Sequence, residues 1–242
     1  MIYDALTDDE ILIAKSAVTS SEEQSLAFNK NIPRGKDATL FHRLFHKFVP
    51  YYAMIEFGRK NIGHHSQIFS DRTTSLQRFD RFFHLFRILR KIKPQNVLEF
   101  GGGASTVFIA EVLRLNERDY NIKGKCISFE QSEKYYNLLM EKFPVEFNDF
   151  AEIKLCPVRL KWYNSFRGIY YDLDYQEIPK NIDFVYRRLN SDIVNLVKSG
   201  FDVAYAITDH RYANFPFYQY ELGNYFDIKL LKYYRSIEMK KK

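Results

Sequence analysis

Asn96-Val-Leu-Glu-Phe-Gly-Gly-Gly-Ala-Ser-Thr-Val-Phe-Ile-Ala-Glu111 decides how the chain is read. Val97, Leu98 and Phe100 make a short apolar run of strand length, and Gly101, Gly102 and Gly103 break it with residues that tolerate a sharp bend and close backbone approach. From Ala104 to Leu113 the apolar residues recur at helical spacing, with Val107, Ala110 and Leu113 on one side. Strand, glycine bend and helix form a corner at which helix N–H groups lack intrahelical partners and a ligand can sit against them. Three glycines can also serve a turn and nothing more. Two features favour the ligand reading: only ten glycines occur in 242 residues, and Glu99 stands just before the bend, where an acid can face a ligand.

Outward from this corner, strands and helices alternate. Pro94 closes a helix expected over Ser75–Lys93, whose stripe is Phe79, Phe82, Phe83, Phe86 and Leu89. Its Arg78, Arg81, Arg87, Arg90 and Lys91 fit a solvated basic face better than a membrane-surface or phosphate-binding one. Asn116–Gly124 reads as a polar loop. Lys125–Gln131 reads as the second strand with Glu130 near its end, and Ser132–Phe143 as a helix with Tyr135, Leu138, Leu139 and Phe143 inward. Ala151–Leu160 reads as the third strand. A crossover helix is then missing, and Trp162–Tyr175 reads as an aromatic hairpin or ordered loop. Ile182–Arg188 and Phe201–Arg211 read as the fourth and fifth strands, separated by a helix over Asn190–Ser199. A helix over Asn214–Gly223 follows, and Phe226–Ile237 alternates as a final antiparallel strand at the sheet edge. The expectation is an α/β, Rossmann-like, doubly wound and mostly parallel sheet with an antiparallel last strand.

Glu-Phe-Gly-Gly-Gly-Ala-Ser-Thr resembles the first motif, E-x-G-x-G-x-S/T, of class I S-adenosylmethionine-dependent methyltransferases, and the resemblance runs over roughly 95–235. The dinucleotide G-x-G-x-x-G pattern fits less well, because Thr106 stands at its third small position. The resemblance implies a cofactor site. Gly101, Gly102 and Gly103 would hold the methionine end of S-adenosylmethionine with Glu99 nearby. Ser105 and Thr106 would cap the helix and reach the amino-acid part. Glu130, about 30 residues after the bend, would accept hydrogen bonds from the ribose hydroxyls, with Gln131 beside it. The chain departs from the pattern at Arg187-Arg188-Leu189, where an Asp-Gly is usual. Arg187 and Arg188 suit an anionic acceptor instead. Asp209 and His210 close the fifth strand, where ligands gather in open α/β sheets. His210 is the candidate general base, and Asp209 its orienter. Trp162, Tyr163, Tyr170 and Tyr171 are expected to line the acceptor pocket.

The expected function is therefore methyl transfer, by O-methylation, to a small molecule or a sugar or glycan acceptor. Two alternatives stand beside it. One is a catalytically inactive binding or scaffold protein on the same fold. The other is a nucleotide-sugar transferase using Asp172 and Asp174, which share a strand face but lack any accompanying nucleotide-sugar signal.

Composition bounds the rest. A hydrophobic share of 46% is ample for a core, and a formal charge of +6 permits an anionic partner without naming one. No nucleic-acid motif is found, so nucleic acid is not an expected partner. Cys126 and Cys156 form no disulfide framework, the N-terminus does not read as a secretion signal, and no run reaches the roughly 18 apolar residues of a membrane span, so a cytoplasmic protein is expected. Residues 1–75 are expected to form an N-terminal helical extension, lid or homodimer surface, and 76–242 the cofactor domain. Within the extension, Thr39–Val49 reads as a helix ended by Pro50, and Asn61–Ser70 as a loop that folds over the site. His42 and His46 have a metal-compatible spacing, but Arg43 stands where a zincin needs its Glu, so no metal is expected. His64 and His65 point apart on any regular element.

Overall fold

A computed structural model describes residues 40–63, 77–163, 166–187, 191–209, 215–231 and 236–242, with some side chains inside those spans not described. Helix α1 spans Leu40–Lys60 and α2 spans Gln77–Ile92. Strand β1 (Asn96–Phe100) then leads into α3 (Ala104–Tyr120), and β2 (Lys125–Glu130) into α4 (Glu133–Lys142). Strand β3 (Ala151–Leu155) is followed by a hairpin of β4 (Val158–Tyr163) and β5 (Phe166–Tyr171). After β6 (Asn181–Ile182) and β7 (Phe184–Arg187) come α5 (Asp192–Lys198), β8 (Asp202–Val203), β9 (Tyr205–Asp209) and α6 (Phe215–Leu222). The chain closes with β10 (Phe226–Leu231) and β11 (Ser236–Lys241).

Seven strands form one sheet in the order β10-β11-β9-β7-β1-β2-β3. β3, β2, β1, β7 and β9 run parallel, and β11 is antiparallel to both β9 and β10. This is a Rossmann-like, doubly wound α/β fold, with the order reversing between β1 and β7. One apolar cluster covers each face. Val97, Cys126, Phe184 and Ile207 pack under α1, α2 and α3. Leu98, Phe100, Val185 and Ala206 pack under α5, α6 and Tyr171. Alternation along every central strand serves both, because successive side chains point to opposite faces.

Several elements differ from the sequence reading. Pro50 does not end the first helix, which continues to Lys60. An internal proline costs roughly 3 kcal/mol, but the segment beyond it buries Ala53 and Phe57. The Phe57 ring lies 5.7 Å from Phe86 and 5.2 Å from Phe108, and burying such a ring offsets a cost of that size. Ala53, Phe57 and Ile62 thus share a core with the sheet. The expected loop over 61–70 lies outside the described residues after Gly63.

Helix α3 runs past Leu113 to Tyr120 because its polar residues have partners there. Asn116 donates to the Leu89 carbonyl at 3.1 Å and accepts from Arg90 at 2.9 Å, while Arg90 also bonds Asp119. Asn121 stops the helix in the left-handed region at φ 55°. Tyr135, expected inward on α4, is exposed, while Leu139 is buried.

The third strand ends at Leu155, since Pro157 has no N–H for a ladder. Val158–Tyr163 instead pairs with Phe166–Tyr171, so the aromatic segment is a hairpin that replaces the crossover helix. The fourth strand is interrupted at Asp183, whose carboxylate accepts from Gln95 N and Asn96 N, each at 2.8 Å. The final alternating segment is two strands. Ile237 and Met239 are buried, so β11 lies inside the sheet; β10, with Asp227 and Lys229, is the edge.

Among the described residues no helix is long and apolar enough to cross a membrane. His84 on α2 is held down at about 4, by desolvation first and then by Arg87. The unfolded chain therefore takes up this proton first, and the stability present above about pH 6.5 is lost as the pH falls towards 4. His84→Gln is expected to flatten that acid limb by about 2–3 kcal/mol in urea unfolding at stepped pH. An unchanged pH profile would refute the assignment.

Candidate functional site

The parallel strands deliver their carboxyl ends to one edge. Phe100 pairs in register with Phe129 on one side and Arg187 on the other, and Arg187 pairs with Thr208. Gly101, Glu130, Arg187 and Asp209 therefore all lie at that edge. The glycine bend sits where the strand order reverses, which is where open α/β sheets bind ligands.

The bend is built by backbone and a buried acid. Gly101 N and Gly102 N both donate to Phe129 O, at 2.8 and 3.2 Å, pinning the bend to the end of β2. Gly101 has φ 97°, a conformation that L side chains rarely adopt. A Cβ on Gly102 would lie 3.0 Å from Leu139 Cδ2, 3.2 Å from Ser128 Oγ and 3.5 Å from Glu130 Cβ. A Cβ on Gly103 would meet nothing within 4 Å. Gly102 is therefore packed against β2 and α4, while Gly103 borders open space.

Glu99, expected to stand beside the ligand, is turned into the protein. It is fully buried, and its carboxylate accepts from Ser105 Oγ at 2.5 Å, Thr106 Oγ1 at 2.5 Å and Ser128 Oγ at 2.9 Å. Thr106 Oγ1 also accepts from Gly103 N at 2.9 Å. Ser105 and Thr106 are buried with it, so their hydroxyls support the bend rather than reach into a site. A carboxylate taken from water needs such donors, and the first turn of α3 supplies two of them. Ser128 escaped the sequence reading. Its signal is the polar residue between Cys126 and Glu130 on one face of an otherwise apolar strand, opposite Glu99 in register.

Glu130 lies next to the bend, as expected, and is almost fully buried. Its Oε1 accepts from Ser132 N at 2.9 Å. Gln131 is half-buried and accepts from the Tyr171 hydroxyl. Tyr171 packs its ring on Phe100 and Phe129, with centroids 5.5 and 6.3 Å away. Its own N–H donates to Asp192 Oδ1 at 2.8 Å. Burial, then Glu130 and Asp192, push its hydroxyl well above the usual range, so it stays protonated and donates. Tyr171, expected among the acceptor-pocket aromatics, lies buried with its hydroxyl on Gln131, while Asp192 was not singled out from the sequence.

Tyr170 is half-buried on β5. The side chains of Trp162, Tyr163, Arg187 and Asp209 are not described, and Arg188, His210, His64 and His65 lie outside the described residues, as do the His42 and His46 side chains. Asp172 pairs with Arg159 at 3.0 Å, and Asp174 accepts from Gln176 N at 2.9 Å. Each is thus occupied locally. Among the described residues no group of three His, Cys, Asp or Glu side chains is placed to hold a metal. Burial, then Asp172, pushes the Cys156 thiol up to about 12, and burial, then Glu99, raises Cys126 strongly. Neither is a ready nucleophile.

No protein-family model matches the chain, and no curated protein does. Among solved structures, the crystal structure of Thermoplasma acidophilum 1320 is similar at 11% identity and a TM-score of 0.40, covering 75% of this chain and 97% of that one.

Replacing Glu99 with Ala removes the shared acceptor of three buried hydroxyls, leaving Thr106 and Ser128 only each other at 3.2 Å, and is expected to cost about 2–4 kcal/mol in chemical unfolding. A loss below about 0.5 kcal/mol would show that the carboxylate does not hold the bend.

Proposed function

We propose that this chain is an S-adenosylmethionine-dependent methyltransferase that O-methylates a small molecule or a sugar or glycan. One observation carries the reading: the bend at Gly101–Gly103 and the carboxylate of Glu130 stand side by side at the switch point of the sheet. An adenosyl ligand needs both, a backbone corner for its amino-acid end and an acid for its vicinal hydroxyls. The open space beside Gly103 and the N-terminus of α3 suit the carboxylate of the methionine part, and Glu130 with Gln131 suits the ribose. When bound, the cofactor supplies an electrophilic methyl group.

The chain's own residues then have two tasks. Tyr170, Trp162, Arg187 and Arg188 would bind and align the acceptor, with the arginines receiving an anionic group on it. His210, one residue past β9, would take the acceptor hydroxyl's proton on its imidazole nitrogen, with Asp209 orienting the ring. A second reading, a binding protein without turnover, is favoured by the engagement of Glu130 with Ser132 N and by the arginines in place of an acid at the end of β7.

Calorimetry with S-adenosylmethionine and S-adenosylhomocysteine tests the proposal. Binding is expected for both, weakened about 10- to 100-fold in Glu130→Ala when measured well below that variant's melting temperature. No heat with either ligand would overturn it. Binding without methylated product, across hydroxylated acceptors, would favour the second reading.

A further inference from the structure

Strand β10 closes the sheet, and among the described residues no strand pairs with its outer side. Its ladder with β11 runs unbroken from Phe226 opposite Lys241 to Leu231 opposite Ser236, without a bulge or a proline. Such devices blunt an edge, because a row of free N–H and C=O groups recruits another strand. The register tells which groups are free. Lys242 N donates to Tyr225 O at 3.1 Å, so these two residues form a hydrogen-bonded pair. Along an antiparallel ladder such pairs recur at every second residue. Asp227, Lys229 and Leu231 therefore direct their backbone groups to β11, while Phe226, Ile228 and Leu230 turn theirs outward.

The side chains of this strand form a chemical palindrome. Reversed about Ile228, the run Tyr225-Phe-Asp-Ile-Lys-Leu-Leu231 sets Tyr225 opposite Leu231, Phe226 opposite Leu230 and Asp227 opposite Lys229. We propose that two copies of this chain pair antiparallel through β10, about a two-fold axis at Ile228, and join their seven-stranded sheets into one. A two-fold contact uses the same patch on both copies, so self-complementarity is what it demands. The facing pairs 226–230, 228–228 and 230–226 each exchange both N–H···O bonds. On the other face of the strand, Asp227 and Lys229 are exposed, and each stands opposite its unlike counterpart in the second copy. Strand β11 extends the row, with Lys240 opposite Asp227 and Glu238 opposite Lys229, so charges alternate in sign across four strands. The same charges select the register. Moving the axis to Asp227 sets that acid against itself, and moving it to Lys229 sets the base against itself; like charges directly opposite are destabilising. A lone lysine guards an edge against any strand, whereas a lysine two residues from an acid on one face admits a reversed copy of its own strand.

The proposal is independent of the methyltransferase reading, and its test needs no cofactor. Light scattering of the full chain is expected to show a species of twice the chain's mass that dissociates on dilution. Asp227→Lys and Lys229→Asp each set like charges opposite one another, and each is expected to raise the dissociation constant about tenfold or more. Mixed in equal amounts, the two variants regain unlike pairs, so a heterodimer is expected. Ile228→Pro removes an outward N–H and no bond to β11, and it should leave a monomer. Hydrogen exchange on the natural chain reads the same contact without a substitution. The amides of Phe226, Ile228 and Leu230 should slow as concentration rises, while those of Asp227 and Lys229, already held by β11, should not. A monomer at every concentration would overturn the proposal. So would a dimer that survives all three substitutions, a mixture that stays monomeric while both variants melt like the natural chain, or outward amides that ignore concentration.

Discussion

A carboxylate at the centre of the sheet sets the shape of everything around it. Glu99 is out of water, where an uncompensated charge is costly, and three hydroxyls from two other elements meet it. Ser128 comes from the neighbouring strand, and Ser105 and Thr106 from the first turn of the helix that follows the bend. The same Thr106 oxygen receives Gly103 N. Strand β1, strand β2 and helix α3 are thereby tied at one point, and the chain between β1 and α3 has little freedom left. What emerges at the edge is a backbone corner held from beneath, with Phe129 O holding it from the side. A corner fixed in this way can present N–H groups without reorganising when a ligand arrives.

The hairpin β4–β5 does for Gln131 and Phe129 what a crossover helix would do elsewhere. Tyr171 lies across Phe100 and Phe129, gives its hydroxyl to Gln131 and its N–H to Asp192 at the head of α5. Glu130 is thus flanked on one side by a residue held from the hairpin and on the other by the bend. The two apolar clusters leave the strand ends, not the faces, open to a ligand: both faces of the sheet are filled by helices and hairpin, and backbone turns come to the surface where strands end.

The parts legible in the sequence were those set by neighbours along the chain. Val97, Leu98 and Phe100 before three glycines, and the helical spacing of Val107, Ala110 and Leu113 after them, define the corner without help from distant residues. Glu130 at the end of a short apolar run was equally visible. The misreadings arose where a tertiary contact outweighs a local signal. Pro50 signals a stop, yet Phe57 has Phe86 and Phe108 to pack on. Asn116 and Asp119 signal a loop, yet Arg90 from α2 donates to both. The bonding of Glu99 was not legible either, because it depends on the register with Ser128, and register is not written in one strand alone.

The packing of α1 links its end to the ligand corner. Gly63 N, just past the end of α1, donates to the buried carboxylate of Glu111 at 2.7 Å, and Phe57 meets the Phe108 ring. Glu111 and Phe108 both belong to α3, the helix whose first turn carries Ser105 and Thr106. The end of α1 and the bend are thus both packed on one helix, α3.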